Sequence, residues 1–251
     1  MPRIFRNPEL ERRIQERLFI RIAKRHQTRI RRELAAQYNA AAAAVEAGRK
    51  PSVKPGNLAV AISAVMRDGY TTIGQRVAAA VRDSQGKSSK RAVPMEPGFE
   101  AGMGTYIRKN AGRKVTEVTD TTKARIAILV QHGINDGLTN AEVASSIRQA
   151  GLIDSAYRSS MIARTESHSA ANAGSLQSAA ESDVVKEKEW ISTEDERTRD
   201  GENSDFDHTN VANVGIDEPF IVSGEELMYP GDPSGSAGNI INCRCAIGYV
   251  V

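Results

Sequence analysis

The amino-acid sequence predicts an α+β fold: a mainly helical N-terminal region that opens with a long basic helix, followed by a small C-terminal sheet packed on a long helix. Three observations point to it. Apolar residues recur at three- and four-residue steps through most of the chain before Ser182. Alternation at period two begins only after it, around Val184 to Thr193, among turn residues. Aromatic residues make up 5% of the chain and alanine is abundant, which favours close-packed or extended helices over a large sandwich core.

The first element starts at Asn7-Pro8-Glu9, with Asn as N-cap, Pro at the first helical position and an acid in the first turn. Leu10, Ile14, Leu18 and Ile22 form a stripe that Ile30, Leu34 and Tyr38 resume, and Gly48 with Pro51 ends the run. The pattern predicts one helix of about forty residues, or two with a break near His26-Gln27-Thr28. A helix that long with so narrow a stripe is expected to lie against a partner or to bridge between bodies. Two short helices are predicted next, Leu58 to Arg67 and Thr71 to Asp83, separated by Asp68-Gly69. Ser84 to Gly98 is polar, basic and rich in Pro and Gly, which predicts a flexible loop. Helices are then expected from Phe99 to Asn110, from a cap at Thr119 or Asp120 to His132, from a capping box at Thr139 to Gly151, and from Asp154 to about Ser182. Beyond Ser182, a strand over Val184 to Thr193, a hairpin around Ser223-Gly224-Glu225 and a closing strand over Arg244 to Val251 complete the sheet. The resulting organisation is a basic helical arm over 1–50, a helical region over 51–118 with its loop at 84–98, and an α+β domain over 119–251.

With 251 residues the chain can bury a sizeable core. No apolar run approaches the ~20 residues of a membrane span, so no membrane partner is expected. The opening MPRIFRNPEL has no apolar segment after its basic residues, so no secretory signal is expected either. Two cysteines one residue apart cannot easily close an unstrained disulfide, which points to free thiols in a reducing compartment or to a metal. Charge is unevenly spread. The first fifty residues hold thirteen Lys/Arg against five Asp/Glu, whereas 181–230 holds four against fifteen. A basic arm of this kind suits nucleic acid or an acidic protein surface; Arg12, Arg13, Arg17, Arg21, Lys24, Arg25, Arg29, Arg31 and Arg32 are its candidate contacts. It contains almost no aromatic residues for base stacking, so any DNA contact is expected to be non-specific.

Two clusters carry the candidate chemistry. Arg164, Glu166 and His168 stand on an Ala-rich helix, and charges beside apolar positions need partners when buried. Asp195-Glu196-Arg197-Thr198-Arg199 supplies both signs, so Arg164 is expected to pair with an acid of that loop and Glu166 with Arg197 or Arg199. The alternative makes Glu166 and His168 an acid/base pair. The second cluster is His208 with Cys243 and Cys245, three of the four ligands of a tetrahedral zinc site. Cys-x-Cys is tighter than the spacing of zinc knuckles, and the fourth ligand would be His168, Asp195, Asp207 or water; the alternative is two small core residues on one side of a strand.

A longer series of motifs links these clusters. It comprises Met161-Ile162-Ala163-Arg164-Thr165-Glu166 with Ala171-Asn172, Trp190, the Asp195 to Arg199 stretch, His208, Phe220, Pro230-Gly231 and the closing Asn242-Cys243-Arg244-Cys245. This series resembles the phage Mu F-like head morphogenesis family, over roughly 119–251 and most closely from Ala163 onward. One departure is that family members often place the histidine soon after Asp-x-Arg-Thr, whereas here residues 201–207 intervene. The resemblance implies a minor capsid protein of a tailed bacteriophage, acting in head assembly, DNA packaging or ejection. It further implies the portal protein as partner, the major capsid protein and non-specific double-stranded DNA as further contacts, and a place inside the virion at the portal vertex after assembly in the host cytoplasm. No enzymatic activity is expected, and no cofactor other than the candidate zinc at His208, Cys243 and Cys245. The rival reading is a metal-dependent hydrolase or nuclease using Glu166, His168, His208 and the two cysteines.

Overall fold

The computed structural model describes residues 3–87 and 97–251. In chain order they form α1 (Pro8–Glu46), α2 (Leu58–Ser84), α3 (Pro97–Asn135), α4 (Asn140–Ala180), β1 (Glu187–Ile191), β2 (Val214–Gly215), β3 (Phe220–Val222), β4 (Glu225–Leu227), α5 (Ala237–Ile240) and β5 (Ala246–Val250). The α+β class is as predicted, helices first and strands last. The capping signals hold as well. Asn7 Oδ1 accepts from Leu10 N at 2.9 Å. At the start of α4, Thr139 N donates to Glu142 Oε2 at 2.8 Å while Glu142 N donates back to Thr139 Oγ1 at 3.3 Å, a reciprocal capping box. Most of the predicted 84–98 loop lies outside the described residues.

The predicted helix breaks are absent, and the glycines explain why. α2 runs unbroken through Gly69, where a Cβ would stand 2.5 Å from the carbonyl oxygen of Ser167 on α4. Likewise α4 continues through Gly151, where a Cβ would stand 2.5 Å from Cβ of Tyr38. These glycines mark close approach between helices rather than stops. The predicted cap at Thr119 is also overturned: Thr119 is buried inside α3, within 3.5 Å of the Gln37 amide, and α3 is a single helix. Nor does α1 break near His26. Its apolar residues Phe19, Ile22, Ile30, Leu34 and Tyr38 are buried within this chain, not left for a partner.

The chain clusters into two compact units: residues 1–22, 65–107 and 164–251 form the first, and 23–64 with 108–163 the second. The second unit packs Tyr38, Ala41, Ala42 and Val45 against Ile126, Val143 and Ile147. Beneath them lies a buried polar knot. Asp154 Oδ2 accepts from Tyr38 Oη at 2.5 Å and Arg158 Nη1 at 3.1 Å, Arg125 reaches the other carboxylate oxygen, and Arg158 also donates to Thr122 Oγ1 at 2.9 Å. Arg158 and Asp154 are one turn apart, and every charge in the knot is met.

The first unit holds the sheet. β1 is central in the order β2-β1-β5, antiparallel throughout, with Trp190 opposite Ile247. The N-terminal segment covers the free edge of β5: Arg3 bridges Val250, and Ile4 N donates to Tyr249 O at 3.1 Å. Ile247 and Tyr249 pack with Ile4, Phe19, Ile73, Val77, Ala171 and Val185. β3 and β4 pair as a hairpin whose turn residues Ser223 and Gly224 both have positive φ (50° and 84°), as a type I′ turn requires. Here α4 is buried on every side from Thr165 to Ser175, so no polar face remains. Small Ala, Ser and Gly residues let neighbours close in all round, and the hydroxyls meet buried phenols: Ser175 Oγ with Tyr249 Oη at 2.7 Å, Ser169 Oγ with Tyr106 Oη at 2.8 Å. Gly174 abuts the main chain of Tyr70, and a Cβ there would collide with the Tyr70 carbonyl oxygen.

Lys188, fully buried at the centre of β1, donates to Met228 O at 2.9 Å and lies 5.1 Å from the centre of the Phe220 ring. Burial lowers its ammonium from the usual 10.5 to about 8, against the opposing pull of Asp217, Asp232 and Glu218.

Two outcomes follow. Gly174→Ala forces α2 and α4 apart and is expected to cost on the order of 1–3 kcal/mol in urea unfolding, with retained stability counting against the close approach. Between pH 8 and 10.5 the unfolded chain binds the Lys188 proton that the folded chain has released, so this residue's contribution rises with pH across that window. Lys188→Met therefore gains most on the parent below pH 8, and its relative stability falls as pH rises to 10; a pH-independent difference would contradict this.

Candidate functional site

The motifs of the last third converge in the first unit, on the segment Ile241 to Cys245 that leads into β5. Asn242 adopts a left-handed conformation (φ 57°) and docks on α4. Its main-chain N–H donates to Thr165 Oγ1 at 3.2 Å, and its side-chain oxygen accepts from Arg164 Nη2 at 3.0 Å. One turn further along α4, His168 Nε2 lies 2.7 Å from Cys245 O and donates to it. That places the lone pair on Nδ1, a buried atom with no hydrogen-bond partner. Asn172 Nδ2 donates to Pro230 O at 3.0 Å, tying in the Pro-Gly turn as well. Gly231 (φ 78°) comes so close that a Cβ would stand 2.8 Å from His168 Nδ1.

The Asp-x-Arg-Thr stretch is a turn built on its own first residue. Thr198 N donates to Asp195 O at 2.7 Å, Asp195 N to Thr198 Oγ1 at 3.0 Å, and Arg197 N to Asp195 Oδ1 at 3.1 Å. The carboxylate so oriented is gripped by both guanidinium nitrogens of Arg244, with Nη1 to Oδ2 at 2.8 Å. This hydrogen bond holds the Asp195 carboxyl well below its ordinary range. Arg244 has a further acid in Glu16 of α1, at 3.6 Å.

These contacts correct two expected pairings. Arg164 meets the amide of Asn242 rather than an acid of the loop, because the Asp195 turn aims its carboxylate at Arg244. Glu166 does not pair with Arg197 or Arg199: Arg197 is exposed and stands 3.8 Å from Asp195, and Arg199 donates to Ile241 O at 2.7 Å. Glu166 is instead buried within α4, where its charge adds to burial in pushing the Tyr106 phenol up.

His208 is held by the region after β4. Its Nε2 lies 2.6 Å from Asn239 Oδ1, and Asn239 Nδ2 donates to Glu225 Oε2 at 3.0 Å. The amide oxygen therefore accepts from the ring, which places the imidazole proton on Nε2 and the lone pair on Nδ1. That lone pair faces both thiols, Cys243 Sγ at 3.7 Å and Cys245 Sγ at 3.5 Å. All three donor atoms lie within 4.8 Å of one another and are buried. Trp190 packs edge-on against His208, ring centres 5.3 Å apart, and against Phe220 at 5.4 Å. The neighbouring Cys245 thiol and His208 hold Cys243 below the ordinary thiol value, while the neighbouring Cys243 and burial hold Cys245 above it.

The candidate fourth metal ligands named from the sequence are engaged elsewhere: His168 with Cys245 O, Asp195 with Arg244, and Asp207 Oδ1 with Thr209 and Asn210. Cys243 also lines a cleft of 610 Å³ whose wall includes His168, Arg164, Arg197, Arg199 and Arg244. Sequence reasoning missed Asn239, which sits in a turn-rich stretch that gives no hint of its role. It also missed the Asp195–Arg244 clamp, whose signal was a lone arginine between two cysteines.

Of the basic candidates on α1, Arg13, Arg17 and Arg21 in the first unit are exposed, as are Lys24, Arg25, Arg29, Arg31 and Arg32 in the second. Arg12 is not. It is buried between Glu9 (2.8 Å) and Glu16 (2.9 Å), and its guanidinium lowers the Glu9 carboxyl to about 2, so it is a structural ion-pair residue. No helix among the described residues is long and apolar enough to cross a membrane.

Residues 124–248 match the family model described as Phage Mu protein F like protein. The chain is also similar to an uncharacterized protein, YqbB, of Bacillus subtilis (strain 168), 33% identical over 154 residues that make up 56% of this chain and 50% of that protein. It thus spans about half the length of the curated relative it matches. No solved structure matches it. The matched stretch includes Arg164, Asp195, His208 and Arg244, the residues that the fold brings together around the closing segment; through residues 124–248 the chain belongs to the Phage Mu protein F-like family.

Proposed function

We propose that this protein is a minor head component of a tailed bacteriophage, acting in head morphogenesis from the portal vertex. The observation that carries the reading is the family match over 124–248. On this reading the portal protein is the main partner, the major capsid protein and packaged double-stranded DNA are further contacts, and the protein resides in the capsid interior after assembly in the host cytoplasm. The role is structural rather than catalytic: Arg164, Asp195, His168 and Arg244 each hold one segment of the fold to another. The exposed bases of α1 are the working surface. Among the described residues no carboxylate pairs with Arg17, Arg21, Lys24, Arg29 or Arg31, which leaves them for an acidic protein surface or for phosphates.

Exchanging Arg17, Arg21, Lys24 and Arg29 for Glu tests this, since exposed substitutions of this kind leave folding within roughly 0.5 kcal/mol. The expected result is loss of the protein from purified heads, loss of co-purification with portal and a fall in infectious particles. DNA binding by the isolated chain should also lose about 0.9 in its log–log salt slope for each phosphate contact removed. Heads that incorporate the variant at the parent level and remain fully infectious would refute the assignment of this surface.

A further inference from the structure

We propose that His208, Cys243 and Cys245 form a zinc site, with three protein ligands and a fourth position for water. The inference goes beyond the role in head morphogenesis and does not depend on it. Zinc bound at about 2.0–2.1 Å to nitrogen and about 2.3 Å to sulfur in a tetrahedron sets each N···S edge at about 3.6 Å. The two edges measured here are 3.7 and 3.5 Å. Both sulfurs therefore already stand at tetrahedral distance from the imidazole nitrogen and within 4.8 Å of each other, although the donors come from separate parts of the chain: the loop after β1 and the segment before β5.

The surroundings fit as well. A ligating histidine typically donates its other ring N–H to an acceptor that fixes its tautomer. Asn239 Oδ1 fills that role at 2.6 Å and is itself oriented by the bond from its amide to Glu225. The ring cannot rotate to offer Nε2 instead without breaking this relay. The indole N–H of Trp190 is buried with no hydrogen-bond partner, in the same cluster as both cysteines. Sulfur made anionic by coordination is an acceptor of the kind that this N–H lacks. Two thiolates with one neutral imidazole balance the charge of Zn²⁺, and this soft and borderline donor set selects zinc over magnesium or calcium. The ion would tie the loop bearing His208 to the closing segment, which α4 grips from the other side through Arg164 and His168.

The test uses the full chain purified under reducing conditions without added metal. Elemental analysis by plasma mass spectrometry should find close to one zinc per chain, and a strong chelator should remove it, lower the thermal midpoint and open both thiols to a disulfide reagent. Cobalt added to the stripped protein should give the thiolate-to-cobalt charge-transfer band and the intense ligand-field bands of tetrahedral coordination. Because Cys243→Ser and His208→Gln each alter a buried group of the fold, Asn239→Ala gives an independent readout: all three ligands remain, and zinc affinity measured against a competing chelator should fall about 10–100-fold. A folded, fully reduced parent that takes up neither zinc nor cobalt would overturn the proposal, and unchanged affinity in Asn239→Ala would overturn the role given to that relay.

Discussion

The first unit depends on how closely α2 and α4 approach each other. Side chains normally hold two helices 8–10 Å apart, but at Gly69 and Gly174 main chain meets main chain. Once α4 is drawn in this far it has no solvent face left, which explains why Thr165 to Ser175 contains nothing larger than His, Glu and Asn. Each polar group on that stretch must then find a partner inside the protein. Partners come from the phenols of Tyr106 and Tyr249, from the carbonyls of Phe19 and Pro230, and from the closing segment through Asn242 N and Cys245 O.

From this constraint the motif residues acquire a common purpose. Arg164 and Thr165 receive Asn242, His168 and Asn172 receive the carbonyls of Cys245 and Pro230, and Asp195 receives Arg244. The residues of α4 lock irregular chain onto a helix, and the Asp195–Arg244 pair ties two irregular segments together, where ladder hydrogen bonds are unavailable. A short sheet and a two-stranded hairpin cannot bury enough apolar surface to fix the long connections between them. Directional polar contacts do that instead, and their strict geometry accounts for residue types that read as an active site when seen only as a string.

Much of the fold was legible. The stripe on α1 from Ile22 to Tyr38, the Asn7 cap, the Thr139 box and the Ser223-Gly224 turn are local signals that survive into the structure, whereas Leu10 at the head of the stripe is exposed. What misled was glycine. At Gly69 and Gly151 the sequence looks interrupted, yet the reason for glycine lies on another helix, Ser167 in one case and Tyr38 in the other. Sequence spacing cannot display such a contact, because it is set by residues about a hundred positions away. The pairings of Arg164 and Glu166 failed for a related reason. Charge complementarity proposes partners, but the turn at Asp195 decides where its carboxylate points, and it points at Arg244. His208, Cys243 and Cys245 were legible as donor types, whereas the relay through Asn239 that orients the ring was not.

Segments far apart in sequence lie side by side, with Ile4 bonded to Tyr249 and Arg3 facing Val250. On the ribosome this has a temporal consequence. All of the second unit has been made by Ala163, but the first lacks its third segment until the final strand emerges. The segment around Ile4 waits until Tyr249 has been made for the strand it will cover, and contacts of such long range form slowly. The late step exposes apolar helix faces in the meantime, the condition in which nascent chains aggregate or recruit chaperones. Docking of the closing segment on α4 is thus the step that completes the first unit.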